Sequence, residues 1–271
     1  MSNTVTSAGP LMRSWREQRG LSQLALATEA NISQKHLSFI ESGRSAPSRE
    51  MVLHLAEHLD IPLRERNTLL LTAGYAPLFR DRPITDPALG RARAAIESVL
   101  KAHEPYPALT VDRHWTMISA NSAVAGLLVG VDPILLTPPV NVMRLSLHPR
   151  GLAPLIVNLA EWRGHLFDRL RRQFRLTRDP AIDTLIKELS GFPNAGEPVS
   201  RNSNELVDEI AVPLRLRTHA GVLSLLSTIT VFGTPVEITL SELSVEAFYP
   251  ADDATAEMLR AAHSRSKMDL T

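Results

Sequence analysis

Residues 10–75 are cut into short apolar-periodic segments by capping and stop residues, and no feature of the chain limits its fold more. LMRSWREQRG (11–20) predicts a helix closed by Gly20, since glycine enters the left-handed conformation at a helix end without penalty. SQLALATEA (22–30) opens on Ser22, carries Leu24, Leu26 and Ala27, and stops at Asn31. Ser33 caps the next segment, where Leu37 and Ile40 are three apart and share a face, and Gly43 ends it. SREMVLHLAEHL (48–59) places Val52, Leu55, Ala56 and Leu59 on one stripe behind a Ser cap. PLRERNTLLLTAGY (62–75) begins with Pro at the first helical position and ends near Gly74. Five helices joined by turns this short make an all-α unit.

APLFRDRPITDPALG (76–90) carries Pro77, Pro83 and Pro87, a density that disfavours regular structure and predicts a linker or domain boundary. Beyond it the periodicity is mixed. Helices are expected at 91–103, 122–130, 149–177, 180–190 and 253–265, and a short hairpin at 108–121 turning near Asp112 and Arg113. Strand-like runs occupy 208–219, 221–234 and 236–250. Strands on both sides of a helical block predict an α+β domain with an antiparallel sheet covered by helices. The expected organisation is a disordered N-terminus (1–9), a helical domain (10–75), a Pro-rich linker (76–90), an α+β domain (91–265) and a tail (266–271).

The 271 residues include 29 basic and 29 acidic side chains and no cysteine. Disulfides, thiolate metal sites and cysteine nucleophiles are therefore excluded. Neither a secretory signal nor an apolar run long enough to span a bilayer is evident, so the expected location is the cytoplasm. Residues 1–75 hold eight Arg/Lys against seven Asp/Glu, so a nucleic-acid partner must be argued from local placement of charge.

The positions Gly20-Leu21-Ser22-Gln23, Leu26-Ala27, Ile32-Ser33, Leu37-Ser38, Ile40-Glu41, Gly43-Arg44, Pro47-Ser48 and Leu55-Ala56 resemble the Xre/λ-repressor class of helix-turn-helix domains. The chemistry of the third segment points the same way. Gln34, Lys35 and His36 lie in its first turn, where such helices meet the major groove; Gln suits adenine and Lys suits guanine or phosphate. Gln23 is placed to meet the phosphate backbone. Ser33, which caps the segment, is grouped with these candidates. The resemblance implies further contacts from Ser38, Arg44 and Arg49, with Phe39 against a thymine methyl. It also assigns Arg16 and Glu41 to a structural ion pair. Low net charge makes specific binding depend on a dimer that sets two such helices about 34 Å apart on a near-palindromic operator.

VDRHWTMISAN (111–121), NVMRLSLHPRGLAPLIVNLAEW (141–162), DPAIDTLIKEL (179–189) and VEAFYPADDATAEMLR (245–260) resemble the ligand-binding domain of MmyB-like regulators, which has a PAS-like fold. The polar stretch SGFPNAGEPVSRNSNELVDE (190–209) departs from that family, which commonly has a tryptophan and a basic-aromatic block there. Trp115, Met117, Asn121, Met143, Leu155, Leu159, Trp162 and Phe167 are the candidates for a ligand cavity, although plain core packing is the better reading for any one of the apolar ones. RLRRQFR (169–175) is either a solvated helix face or a site for an acidic head group. The resemblance implies a hydrophobic ligand such as a fatty acyl compound, with no metal or other cofactor required.

The expected protein is a dimeric DNA-binding regulator whose operator affinity responds to that ligand. Alternatives are a C-terminal domain that binds a partner protein or only dimerises, or one that carries haem or flavin. An enzyme is disfavoured: HExxH, GxSxG and phosphate-loop patterns are absent, and His103, His114, His148, His165 and His219 are scattered without ligand spacing.

Overall fold

A computed structural model describes residues 8–193, 212–232 and 237–268. They form two compact units, residues 8–83 with 237–241, and residues 84–232 with 242–268.

The first unit contains α1 (Ala8–Gln18), α2 (Gln23–Glu29), α3 (Gln34–Glu41), α4 (Arg49–His58) and α5 (Leu63–Thr72). Ser22, Ser33 and Ser48 have extended backbone and accept hydrogen bonds from the amides of Ala25, His36 and Met51 at 3.0, 3.1 and 3.2 Å. Gly20, Asn31, Gly43 and Gly74 have positive φ, as the stop signals predict. Asp60 does too and ends α4, a left-handed position that Asp tolerates better than most residues. Leu26, Leu37, Ile40, Leu55 and Leu69 are fully buried at the centre, whereas Leu24 is 60% exposed. α1 starts at Ala8, ahead of the expected Leu11, because Pro10 falls in its first turn, where no amide partner is lost. Gly9 packs so tightly that a Cβ there would collide with the Ile40 carbonyl.

The proline-rich stretch is not a free linker. Asn67 of α5 donates to the Phe79 carbonyl at 2.7 Å and accepts from the amides of Leu78 and Phe79. Arg64 pairs with Asp81. The expected strand at 236–250 is also corrected. Its first part forms a bridge to Arg80 at Glu237 and the short helix α11 (Ile238–Ser241), and both belong to the first unit. The Ile238 amide donates to the Arg80 carbonyl at 2.9 Å, the Thr239 hydroxyl donates to Arg82 O, and Ile238 is buried.

The second unit opens with Pro87–Leu89 in a 3₁₀ turn capped by Asp86, then α6 (Gly90–Ala102). β1 (Ala108–Val111) and β2 (Met117–Ala120) form the expected hairpin, followed by α7 (Ser122–Leu127) and α8 (Val142–Leu147). The helix expected over 149–177 begins only at Leu159. Pro149, Gly151 and Pro154 break its first third, and Ile156 instead bridges to Leu216. α9 (Leu159–Thr177), α10 (Pro180–Ser190), β3 (Leu214–Thr218), β4 (Gly221–Val231), β5 (Ser244–Pro250) and α12 (Asp253–Met268) complete the unit. Most of the polar 190–209 stretch and parts of the runs expected at 208–219 and 221–234 lie outside the described residues.

The sheet is antiparallel throughout, ordered β2-β1-β5-β4-β3. Because side chains alternate along a strand, the register pairs Leu109 with Glu246 and Ser227 with Phe248 on one face. That face carries the main core with α8 and α9; Leu147, Leu170 and Leu225 are at most 1% exposed. Charged Glu246 lies on the same apolar face.

Candidate nucleic-acid interface and ligand cavity

α3 is held from behind and left open in front. Leu37, Ile40 and Glu41 are its buried residues, while Gln34 and Lys35 are exposed. The bracing is electrostatic as well as apolar. Arg16 of α1 donates from Nε to Glu41 Oε1 at 2.7 Å and from NH2 to Oε2 at 2.9 Å, and its NH1 donates to the Leu21 carbonyl. Both side chains are at least nine-tenths buried, and the hydrogen bonds to Glu41 hold the Arg16 guanidinium more firmly protonated than usual.

The predicted DNA-facing residues take distinct positions on this scaffold. Ser33 is the N-cap of α3. His36, Ser38 and Phe39 are half-buried, with the Phe39 ring beneath two cations, Lys35 Nζ at 5.7 Å and the Arg44 guanidinium at 5.9 Å. Phe39 therefore gathers positive charge beside the exposed turn. Arg49 opens α4, and its Nε is buried without a hydrogen-bond partner. Gln23 lies at the start of α2, where its amide nitrogen donates to Glu41 Oε2 at 2.8 Å. That bond ties it to the brace of α3.

In the second unit, an almost wholly apolar cavity of about 70 Å³ opens between the sheet face and α7, α8 and α9. Met117, Met143 and Trp162 are in its wall, as the sequence suggests, together with Leu109, Leu127, Leu145, Leu166, Phe248 and others. The other five candidates are elsewhere. Trp115 has positive φ, donates from Nε1 to Gln173 at 2.8 Å and stacks under Arg169. The Asn121 side chain joins the Ala108 amide to the Leu100 and Tyr106 carbonyls. Phe167 lies between Arg163 and Arg171, and Leu155 and Leu159 pack in the core outside the cavity lining.

Sequence reasoning missed the polar points of the wall. Ser146 accepts from Trp162 Nε1 at 3.0 Å. Glu246, 5% exposed, accepts through Oε1 from Arg169 NH1 at 2.7 Å. Arg169 also reaches Ser227 Oγ and His165. Within the basic run it is therefore a structural partner, whereas Arg171, Arg172 and Arg175 lie on the exposed face. A glutamate inside the apolar run VEAFYP was the available signal, because a buried carboxylate needs a cation.

His165 stacks on Trp162 with ring centroids 5.3 Å apart. Burial, then the charge of Arg169, pushes its pKa below the ordinary imidazole value, while Asp168 and Glu161 oppose this more weakly. The fold thus disfavours the charged form of His165. The unfolded chain binds the proton more readily, so this contribution to stability is present above the ordinary imidazole pKa and lost as pH falls below it. Urea midpoints measured at pH 7.5 and 5.5 should drop less in His165→Gln than in wild type. Equal drops would assign the acid sensitivity to other groups.

Together these features define a DNA-binding regulator made of a helix-turn-helix unit and a domain enclosing an apolar cavity. The helix-turn-helix family matches residues 12–66, and the MmyB-like transcription regulator ligand binding domain family matches residues 92–262, more than half of the chain. The chain belongs to the MmyB-like transcription regulators. No curated protein matches it. Both matched families are regulatory, and no helix among the described residues is long and apolar enough to cross a membrane.

Proposed function

We propose that the protein binds a near-palindromic operator as a homodimer in the cytoplasm, with Gln34, Lys35 and His36 of each copy facing base edges. Ser33, Ser38, Arg44 and Arg49 hold the phosphates, Phe39 meets a thymine methyl, and Gln23 contacts backbone while steadying Glu41. The observation that carries this reading is the exposure of Gln34 and Lys35 in the first turn of a helix whose other face is locked by an ion pair and whose start is fixed by a serine cap. An apolar small molecule in the inner cavity shifts the dimer between arrangements with different operator affinity, which is linkage. No metal or other cofactor takes part.

At about 70 Å³ the cavity is far below the roughly 300–1,000 Å³ of ordinary ligand pockets, so an acyl-sized ligand must displace wall side chains. Met117, Met143, Leu127 and Leu128 are the adaptable ones, methionine above all because it is unbranched. Glu246 also sets polarity: a hydroxyl or amine suits that end of the cavity, and a fatty acyl carboxylate must point away from it.

Native mass spectrometry of the purified protein, followed by organic extraction, tests the assembly and its ligand together. A dimer carrying an apolar molecule is expected; a monomer, or a dimer yielding no apolar molecule, counts against the corresponding half of the reading. Operator affinity should fall steeply with salt through release of phosphate counterions, and a flat response would point to a protein partner.

A further inference from the structure

The second unit has another cavity, larger than the one beneath the sheet. It measures about 190 Å³ and opens on the far side of α7, between that helix, the β3–β4 turn and α12. Leu127 is the one residue common to both linings. The walls divide by chemistry. Leu127, Leu223, Met258 and Leu259 form an apolar floor, and small residues such as Gly126 and Ala262 keep the space open. His219, His263 and Arg265 are the basic members of the lining, and no acidic side chain is among the lining residues. Two acids adjoin lining residues in the chain, Glu257 beside Met258 and Glu104 beside Pro105, and Glu104 accepts from the hydroxyl of the lining residue Ser122 at 2.8 Å.

The turn wall is fixed in place. Thr218 donates from its hydroxyl to the Gly221 carbonyl at 2.9 Å and accepts from the Ala220 amide at 3.2 Å. Gly221 has a φ of +136, and a Cβ there would sit 3.1 Å from Met258 Sδ. The turn that presents His219 is therefore packed directly on the apolar floor. A cavity with apolar side chains, two imidazoles and an arginine in its lining, and no carboxylate among the lining residues, has the complement of a small amphipathic acid.

We propose that this outer cavity is a second binding site, for a monocarboxylate with a short alkyl or aryl tail. The carboxylate lies against Arg265, His263 and His219, and the tail covers Met258 and Leu223. The proposal does not rest on the inner-cavity ligand or on operator binding, although Leu127 is a wall of both cavities.

Methionine methyl NMR of the full chain reports the two cavities separately, because Met258 lines the outer one, while Met117 and Met143 line the inner one. Titration with sodium octanoate should shift the Met258 methyl saturably, and 1-octanol should do so at least tenfold more weakly. His263→Gln/Arg265→Gln should weaken octanoate at least tenfold. Ala262→Trp, at an exposed position, should fill the cavity and abolish the Met258 response while leaving the Met117 and Met143 signals in place. The proposal is overturned if octanoate leaves Met258 unmoved, if octanol binds there equally well, or if these variants bind octanoate like wild type. A shift confined to Met117 and Met143 would also overturn it while supporting the inner ligand site.

Discussion

Glu41→Ala should destabilise the DNA-binding unit by about 3–5 kcal/mol, the usual cost of leaving one member of a buried ion pair without its partner. Glu41 accepts two hydrogen bonds from Arg16 and one from Gln23, and the Arg16 side chain is 8% exposed. Its loss leaves the buried guanidinium with the Leu21 carbonyl and, at 3.7 Å, the half-exposed Glu17 carboxylate. Replacing both partners, as Arg16→Met/Glu41→Leu, should recover most of the loss, because two apolar side chains leave no uncompensated charge. Urea unfolding followed by hydrogen exchange in α1 and α3 distinguishes the cases. A single variant as stable as wild type would show that the pair braces nothing. The double variant should fold, yet it loses the anchor for Gln23, so the start of α2 should exchange faster.

The second large effect concerns binding. Gln34→Ala/Lys35→Ala should leave folding intact, since both side chains are exposed, and should collapse the ratio of operator to non-specific affinity. A well-placed bidentate contact discriminates by about 1–3 kcal/mol, and the proposed dimer would double that effect. If Lys35 meets phosphate, Lys35→Ala alone weakens all sequences evenly and lowers the salt slope by about one per copy. Competition gel shifts with operator and scrambled DNA separate these outcomes. Unchanged discrimination would remove α3 from the recognition role.

The two predictions draw on different depths of information. Gln34 and Lys35 can be picked out in the sequence because they remain once Leu37, Ile40, Ser33 and Gly43 have been assigned to the fold. Such local logic works wherever caps and stops are explicit. It is why the five N-terminal helices, the β1–β2 hairpin and α10 come out close to their expected bounds. It fails where a segment's state depends on a distant partner. Residues 236–243 alternate like a strand, yet Glu237 and Ile238 bond to Arg80, and α11 forms there instead. The missing third of α9 was in principle readable from its two prolines and glycine.

The cavity shows the same division. The sequence by itself determined the helix-turn-helix, its capping residues, the identity of its exposed first turn, and a sheet-and-helix domain rich in apolar side chains. These follow from periodicities of two and 3.6 residues and from backbone preferences, which act over a few residues. Tertiary structure decided which apolar residues face empty space, that Asn121 and Trp115 tie strands and helices together, and that Arg169 meets Glu246 across 77 positions of chain. It also decided that α7 has a cavity on each side. Those outcomes depend on strand register and on helices packed from remote parts of the chain, and no local pattern encodes either one.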